Sequence, residues 1–377
     1  MMNNSNATDQ KYDKLQQTSK IEHMKTTGHN ILDEELEDFL KVQTAKIKVV
    51  GTGGAGNNTV DRISEVGIAG AETIALNTDA QDLLYTSADK KILMGKEATR
   101  GMGAGSNPKL GELAAKENEQ EIKKSLEGAD MIFLTCGLGG GTGSGSASVI
   151  GEIAKKTGAL TIAIVTMPFA MEGNRRYENA VYGLERLAAV VDTLIVIPND
   201  KLLELAPDLP INTAFKIADE ILTNAVKGIA ELVTKAGLVN LDLADVKAVM
   251  GNGGVALIGV GESDNSNNRA IEAVEKAINN PLLDVDVKTA TGALINISAS
   301  STMTLDEARK VVENVTQKID SDAKIIWGAQ IYDDMENTIR VMLIITGVQS
   351  GQIFGTGDPV LNKKKKHMGE ELGIEFV

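Results

Sequence analysis

Cys136-Gly137-Leu138-Gly139-Gly140-Gly141-Thr142-Gly143-Ser144-Gly145 is the stretch on which the fold turns. It follows an apolar run, Ala129-Asp130-Met131-Ile132-Phe133-Leu134-Thr135, that reads as a buried parallel strand. Residues 146–156 then read as a helix. Strand, glycine loop and helix together present free backbone N–H groups and the positive helix end to a phosphate. Six glycines in nine positions (137–145) leave the main chain open to an anion, with no Cβ in the way. The loop has no lysine, so it is not the GxxxxGK[ST] P-loop, and the backbone alone must hold the phosphates. A flexible turn or linker is the weaker reading, because linkers seldom follow a buried strand directly.

Composition narrows the chemistry. A chain of 377 residues has room for two domains with full cores. A net charge of −14, with five Tyr, six Phe and one Trp, speaks against nucleic-acid binding through a basic, aromatic face. The lone Cys136 excludes an internal disulfide and fits a reducing cytoplasm. His23, His29 and His367 all lie in terminal segments, which argues against a histidine triad or a His/Cys zinc site. No apolar run reaches spanning length and the polar N-terminus lacks a signal core, so no membrane insertion is expected.

Outward from the loop, the chain alternates strands and helices. Residues 1–30 are polar and expected to be disordered. In 31–45, Leu32, Leu36, Phe39 and Leu40 are spaced for an amphipathic helix. Lys46-Ile47-Lys48-Val49-Val50 is the first strand, and Gly51, Gly53 and Gly56 after it match GxGxxG ahead of a helix reaching Val66. With the next strand at 72–77 and Asp79 after it, this alone is a dinucleotide fingerprint, which would make the chain an NAD-dependent oxidoreductase. A third glycine loop, 100–108, has Asn107 as N-cap and Pro108 at N1 of a helix reaching about Lys124. Three such loops gather at the carboxyl ends of a doubly wound sheet, and one nucleotide touching all of them accounts for the repetition. Strands follow at 160–165 and 193–198. Residues 212–236 then form the longest periodic segment, with Phe215, Ala218, Ile221, Leu222, Ala225, Ile229, Leu232 and Val233 on one face and Gly237 as the stop. Beyond it, strands at 255–260, 292–298, 324–332 and 338–346 and helices at 267–279 and 305–319 make a second α/β unit without a phosphate-type loop.

The ordered motifs resemble the tubulin/FtsZ family over residues 45 to 347. Gly139-Gly140-Gly141-Thr142-Gly143-Ser144-Gly145 matches its signature loop, and Asn240-Leu241-Asp242-Leu243-Ala244-Asp245 its synergy loop. Residues 53–58, Asn77-Thr78-Asp79, 103–108 and 169–176 resemble its remaining nucleotide loops, in the same order. The resemblance implies a Rossmann-like, parallel-sheet GTPase domain (46–211), a long central helix (212–237) and a smaller C-terminal α/β domain (238–347), followed by a tail (348–377). It also implies a cell-division GTPase that binds GTP and GDP, assembles head to tail, and acts in the cytoplasm at the division site. A non-hydrolysing tubulin-like scaffold is the other reading, which the pair Asp242 and Asp245 argues against.

By the same resemblance, Gly53, Gly54, Ala55, Gly56, Asn57 and Asn58, with Gly103 and Asn107, and with Gly140, Gly141, Thr142 and Gly143, surround the phosphates. Glu172 would accept from the ribose and Arg176 would lie near the phosphates or the ribose; as residues at a helix start they read equally as a cap and a surface charge. Phe215 would pack on the base and Asp219 would take guanine's N1–H and N2–H₂, rejecting adenine by roughly 10⁴. Without the resemblance, Phe215 reads as core and Asp219 as a solvated helix residue. Asp242 and Asp245 read by themselves as a helix N-cap and a first-turn acid, stabilising by about 1 kcal/mol. The resemblance instead makes them, with Asn240, the groups that reach the γ-phosphate of the next subunit's GTP, orienting the attacking water and contributing to the cation site. Mg²⁺ is expected on the β/γ-phosphates, with K⁺ a further candidate; no metal ligand is assigned. The termini are expected to meet membrane tethers or division proteins. The tail, with Lys363-Lys364-Lys365-Lys366 and the end Leu372-Gly373-Ile374-Glu375-Phe376-Val377, departs from the long linker and basic-hydrophobic peptide of bacterial members and is nearer archaeal ones.

Overall fold

In the computed structural model the described residues are 45–348, without 206–209, 236, 240, 267, 284 and 286 and without the side chains of 205, 211 and 212. The expectations for 1–30, for the helix at 31–45 and for the tail fall outside the described residues, save Ala45 and Val348. Ten strands form one sheet: β1 (Ile47–Thr52), β2 (Ala71–Asn77), β3 (Lys90–Leu93), β4 (Met131–Gly137), β5 (Leu160–Met167), β6 (Thr193–Pro198), β7 (Gly254–Ser263), β8 (Gly292–Ala299), β9 (Lys324–Ile331) and β10 (Ile339–Thr346). Between them run α1 (Gly53–Val66), α2 (Ala80–Tyr85), α3 (Lys96–Thr99), α4 (Pro108–Glu117), α5 (Glu119–Leu126), α6 (Thr142–Lys156), α7 (Asn174–Ala188), α8 (Asn199–Leu205), α9 (Ile211–Thr234), α10 (Leu243–Met250), α11 (Arg269–Ile278) and α12 (Leu305–Thr316).

The strand order is β3-β2-β1-β4-β5-β6-β7-β10-β8-β9. β1 through β6 are all parallel, and β1 lies between β2 and β4. Strand order therefore reverses between β1 and β4, the switch point where loops leave in opposite directions and open a crevice. Both glycine loops leave from these two strands. The second α/β unit continues the same sheet through a short seam, Thr193↔Gly254, Leu194↔Val255 and Ile195↔Ala256. β10 then runs antiparallel between β7 and β8, so the sheet is mixed but mostly parallel.

Burial on both faces explains the unbroken apolar strands. One face packs Leu134, Val165 and Val196 under α4 to α7; the other packs Val49, Phe133, Ile162 and Ile195 under α1 and α9. On α9 the buried positions Ala218, Leu222, Ala225, Val226, Ile229, Ala230 and Leu232 follow the expected spacing, while Phe215 is 39% exposed. The helix ends at Thr234, two residues short of 236, because the chain turns to pair with β9: Leu238 N–H donates to Ala329 O and Val239 bridges Ala329. The helix expected from Pro108 to Lys124 is two helices broken at Asn118, whose Oδ1 accepts the Gly95 N–H at 2.9 Å. The loop at 100–107 follows α3 and not a strand, since β3 stops at Leu93. No described helix is long and apolar enough to cross a membrane.

Candidate functional site

A cleft of about 300 Å³ opens at the switch point. Its floor is the start of α1 (Gly53, Gly54, Ala55) and the start of α6 with its loop (Gly140, Gly141, Thr142, Gly143). Neither helix has a side-chain cap: Thr52 Oγ1 pairs with Ser146 Oγ at 2.7 Å, and Gly141 has no side chain to offer. The first N–H groups of a helix have no intrahelical acceptor, so two uncapped, positive helix ends face one cavity.

The glycine loop is pinned by its other groups. Leu138 N–H donates to Thr166 O (2.9 Å), Gly139 N–H to Ser144 Oγ (2.8 Å) and Gly141 N–H to Gly105 O (2.7 Å). Among the described residues the amides of Gly140, Thr142 and Gly143 have no acceptor. The expectation that all these glycines open the loop to an anion needs correction. Only Gly140 has nothing within 4 Å of an added Cβ. A Cβ on Gly141 would lie 2.5 Å from Gly105 O, on Gly143 2.6 Å from Gly137 O, and on Gly145 1.9 Å from Pro108 O. Those three permit close packing of the backbone on neighbouring segments. Gly139 differs again, holding φ +109.

At the other end of the cleft, Phe215 meets Phe169 edge-on, with ring centroids 5.1 Å apart. One turn on, Asp219 lines the cleft, and no group among the described residues donates a hydrogen bond to its carboxylate. Burial lifts its pKa to about 6, against a weaker opposing pull from Arg62. Asn199 lines the same end, buried, with Oδ1 unpartnered. On the rim, Glu172 accepts from Phe169 N–H (2.9 Å) and from Arg176 Nη1 (2.5 Å). Glu172 is thus a cap and a member of the cleft wall at once, and Arg176 is an exposed charge tied to it.

Other residues singled out in the sequence surround this cleft without lining it. Gly56 packs against β4, where a Cβ would meet Thr135 O at 2.5 Å. Asn57 is fully buried with neither Oδ1 nor Nδ2 partnered, a rare state for a buried amide; Asn58 is exposed. Gly103 holds φ +80 and donates to Thr78 O (3.0 Å), and Asn107 caps α4 through Lys109 N–H (3.2 Å). Asp79 caps α2, accepting from Gln81 and Asp82 N–H, so the carboxylate required by the dinucleotide reading already serves the backbone. Asn199, Thr166 and Pro168 were not singled out from sequence; their one signal is position at the carboxyl ends of β5 and β6.

The acids lie elsewhere. Asp242 is the N-cap of α10, accepting from Asp245 N–H at 2.8 Å, and both are exposed; Asn240 falls outside the described residues. Leu241 N–H donates to Leu232 O, which ties this loop to the far end of α9. The thirteen residue steps from Asp219 to Leu232 span about 20 Å of helix. Among the described residues no group of three or more His, Cys, Asp or Glu is placed to hold a metal ion.

Comparison with known proteins agrees with this geometry. A family model described as the tubulin/FtsZ family GTPase domain matches residues 46–207, and one described as the FtsZ family C-terminal domain matches 254–349. The chain is 58% identical over 351 residues to cell division protein FtsZ 1 of Methanocaldococcus jannaschii, covering 93% of this chain and 96% of that one. It is 62% identical over 319 residues to cell division protein FtsZ 1 of Thermococcus kodakarensis, covering 85% of each. A solved structure titled as an empty FtsZ dimer from M. jannaschii superposes with a TM-score of 0.81 at 60% identity, covering 84% of this chain and 92% of that chain. The chain belongs to the tubulin/FtsZ family, in its FtsZ branch of cell-division GTPases.

Proposed function

We propose that the cleft holds GTP or GDP, and that the GTP of one subunit is cleaved only when a second subunit brings Asp242, Asp245 and Asn240 to it. The observation that carries this reading is the roughly 20 Å of α9 between Asp219 and the acid loop, which no side chain bridges. Asp242 and Asp245 line no part of their own protomer's cleft, so on this reading they reach phosphates only across a contact between protomers. Stacked head to tail, each protomer presents its acid loop to the next cleft; such a heterologous contact does not close, and it yields a filament. The dimer named in the M. jannaschii title fits this tendency to self-associate.

In this arrangement the amides of Gly140, Thr142 and Gly143 and the start of α1 (Gly53, Gly54, Ala55) take the phosphates, with Gly56, Asn57, Asn58, Gly103 and Asn107 shaping the loops behind them. Glu172 accepts from the ribose, with Arg176 beside it. Phe215 packs on the base, Asp219 accepts from its N1–H and N2–H₂, and Asn199 Oδ1 is a further acceptor at that end. Phosphoryl transfer rests mostly on positioning and electrostatics, so two carboxylates that orient water suffice as the acting groups. Mg²⁺, with or without K⁺, would be held through the phosphates more than by the protein; among the described residues no cluster of three or more His, Cys, Asp or Glu is placed to hold it. When bound it neutralises charge on the β/γ-phosphates. We place the protein at the division site, with its termini meeting tethers or division partners.

The test is phosphate release against protein concentration. Activity per molecule rises steeply with concentration if the site is shared; equal activity in dilute, strictly monomeric protein would overturn the reading.

A further inference from the structure

One side chain ties the two rims of the cleft together. Asn179, half-buried on α7, donates from Nδ2 to Ser106 O at 3.1 Å and to Gly139 O at 3.2 Å. The first oxygen belongs to the loop before α4 and the second to the glycine loop, 73 and 40 residues away in sequence. Among the described residues no other side chain bonds to both loops. The backbone bond from Gly141 N–H to Gly105 O lies beside this clasp. The clasp therefore helps to hold the loop shape that leaves the Gly140, Thr142 and Gly143 amides facing the cleft.

Its place along the cleft indicates which part of a ligand it governs. Glu172 ends the turn before α7 and is bonded to Arg176 in the first turn of that helix, and Asn179 follows Arg176 three residues on, on the same helical face. Phe169, three residues before Glu172, is packed on Phe215. The wall thus runs from the aromatic pair, past Glu172 and Arg176, to Asn179 and the Gly105–Gly141 contact. With the base at Phe215 and the ribose at Glu172, the phosphate chain points toward Asn179 and its last phosphate lies at that end. We propose that Asn179 is a positioning residue that clamps residues 100–107 onto the glycine loop and so shapes the seat of the third phosphate. It thereby sets the preference for the triphosphate over the diphosphate. This rests on the nucleotide reading of the cleft.

The test compares dissociation constants for GDP and for a non-hydrolysable GTP analogue, measured on dilute full-length protein. Asn179→Ala is expected to weaken the triphosphate about tenfold, two hydrogen bonds' worth, and GDP less than twofold. Asn179→Asp keeps the shape but turns a carboxylate on two carbonyl oxygens, and should weaken the triphosphate further. A merely structural residue would lower the unfolding temperature and leave the ratio of the two constants alone. An unchanged ratio in both variants overturns the proposal. If the wild-type protein binds neither nucleotide, the reading of the cleft fails and this proposal with it.

Discussion

The two ends of α9 are built on opposite principles. At its N-terminal end, Asp219 and the neighbouring Asn199 hold polar groups that the protein leaves without partners, next to two uncapped helix starts. At its C-terminal end the acid loop is tied to the protein's own backbone: Asp242 caps α10, and Leu241 and Val239 are bonded to α9 and β9. An unpartnered buried polar atom is costly, and where it lines a cleft a ligand can complete it. An exposed cap carries no such mark, and it is chemically active only if something is brought to it. On the proposed reading, binding capacity is complete within one protomer, whereas hydrolytic capacity arises between two.

The sharpest way to break this contrast is Asp245→Ala. Phosphate release should fall by roughly 10³-fold, the range for removing a positioned acid–base group. GTP and GDP affinity, measured at equilibrium on dilute protein, should stay within experimental scatter. A variant that turned over normally would leave Asp245 as a first-turn helix acid and nothing more. Loss of binding together with turnover would place the acid loop in the cleft of its own protomer and erase the difference between the two ends.

A second pair of substitutions sharpens what sets the cleft end apart. Gly145→Ala places a methyl 1.9 Å from Pro108 O, a clash with backbone that α4 and α6 must separate to relieve. The expected loss is about 1–3 kcal/mol or more, read by thermal unfolding of nucleotide-free protein. Gly140→Ala meets nothing within 4 Å and should leave that unfolding temperature unchanged. In exchange it puts a methyl where the phosphates would lie, and nucleotide affinity should drop about tenfold, near 1.4 kcal/mol. Should both variants lose stability equally, the glycine loop would be packing throughout and not a cradle.

That difference between glycines is where the sequence stops being informative. Gly140 and Gly145 look alike in a run of glycines; only the approach of α4 to α6 tells them apart. The same holds for Asn118, which interrupts a continuous helical pattern because Gly95, 23 residues earlier, needs an acceptor. Asn199 and Asn179 are single polar residues without a motif, and their meaning comes from loops distant in the chain. Much else was legible because local physics determines it. Predominantly apolar runs marked β1, β4, β5 and β6, with Lys48 the one charge among them, since parallel strands are buried on both faces. Apolar spacing marked α9, apart from Phe215, whose place on the helical face is regular but whose exposure depends on the open cleft. Spacing could not separate Glu172 as cap from Glu172 as cleft wall, and in the fold it is both.

The smallest expected effect bears on the same end of α9 and is read through pH. Asp219 has a pKa of about 6 in the folded protein, raised from 3.8 by burial. The folded chain therefore binds this proton more tightly than the unfolded chain does. Its contribution to stability is fully present below about pH 4 and is lost as pH rises through 6, so the charged carboxylate opposes folding at neutral pH. Ligand binding should run the other way, because only the carboxylate accepts from both guanine donors. Between pH 7 and 5.5 the charged fraction falls to about a quarter, and GDP affinity should weaken about fourfold. Asp219→Asn should flatten that slope and remove the stability difference over the same window. A pH slope that was the same in wild type and Asp219→Asn would show that the unpartnered carboxylate is not what distinguishes the binding end.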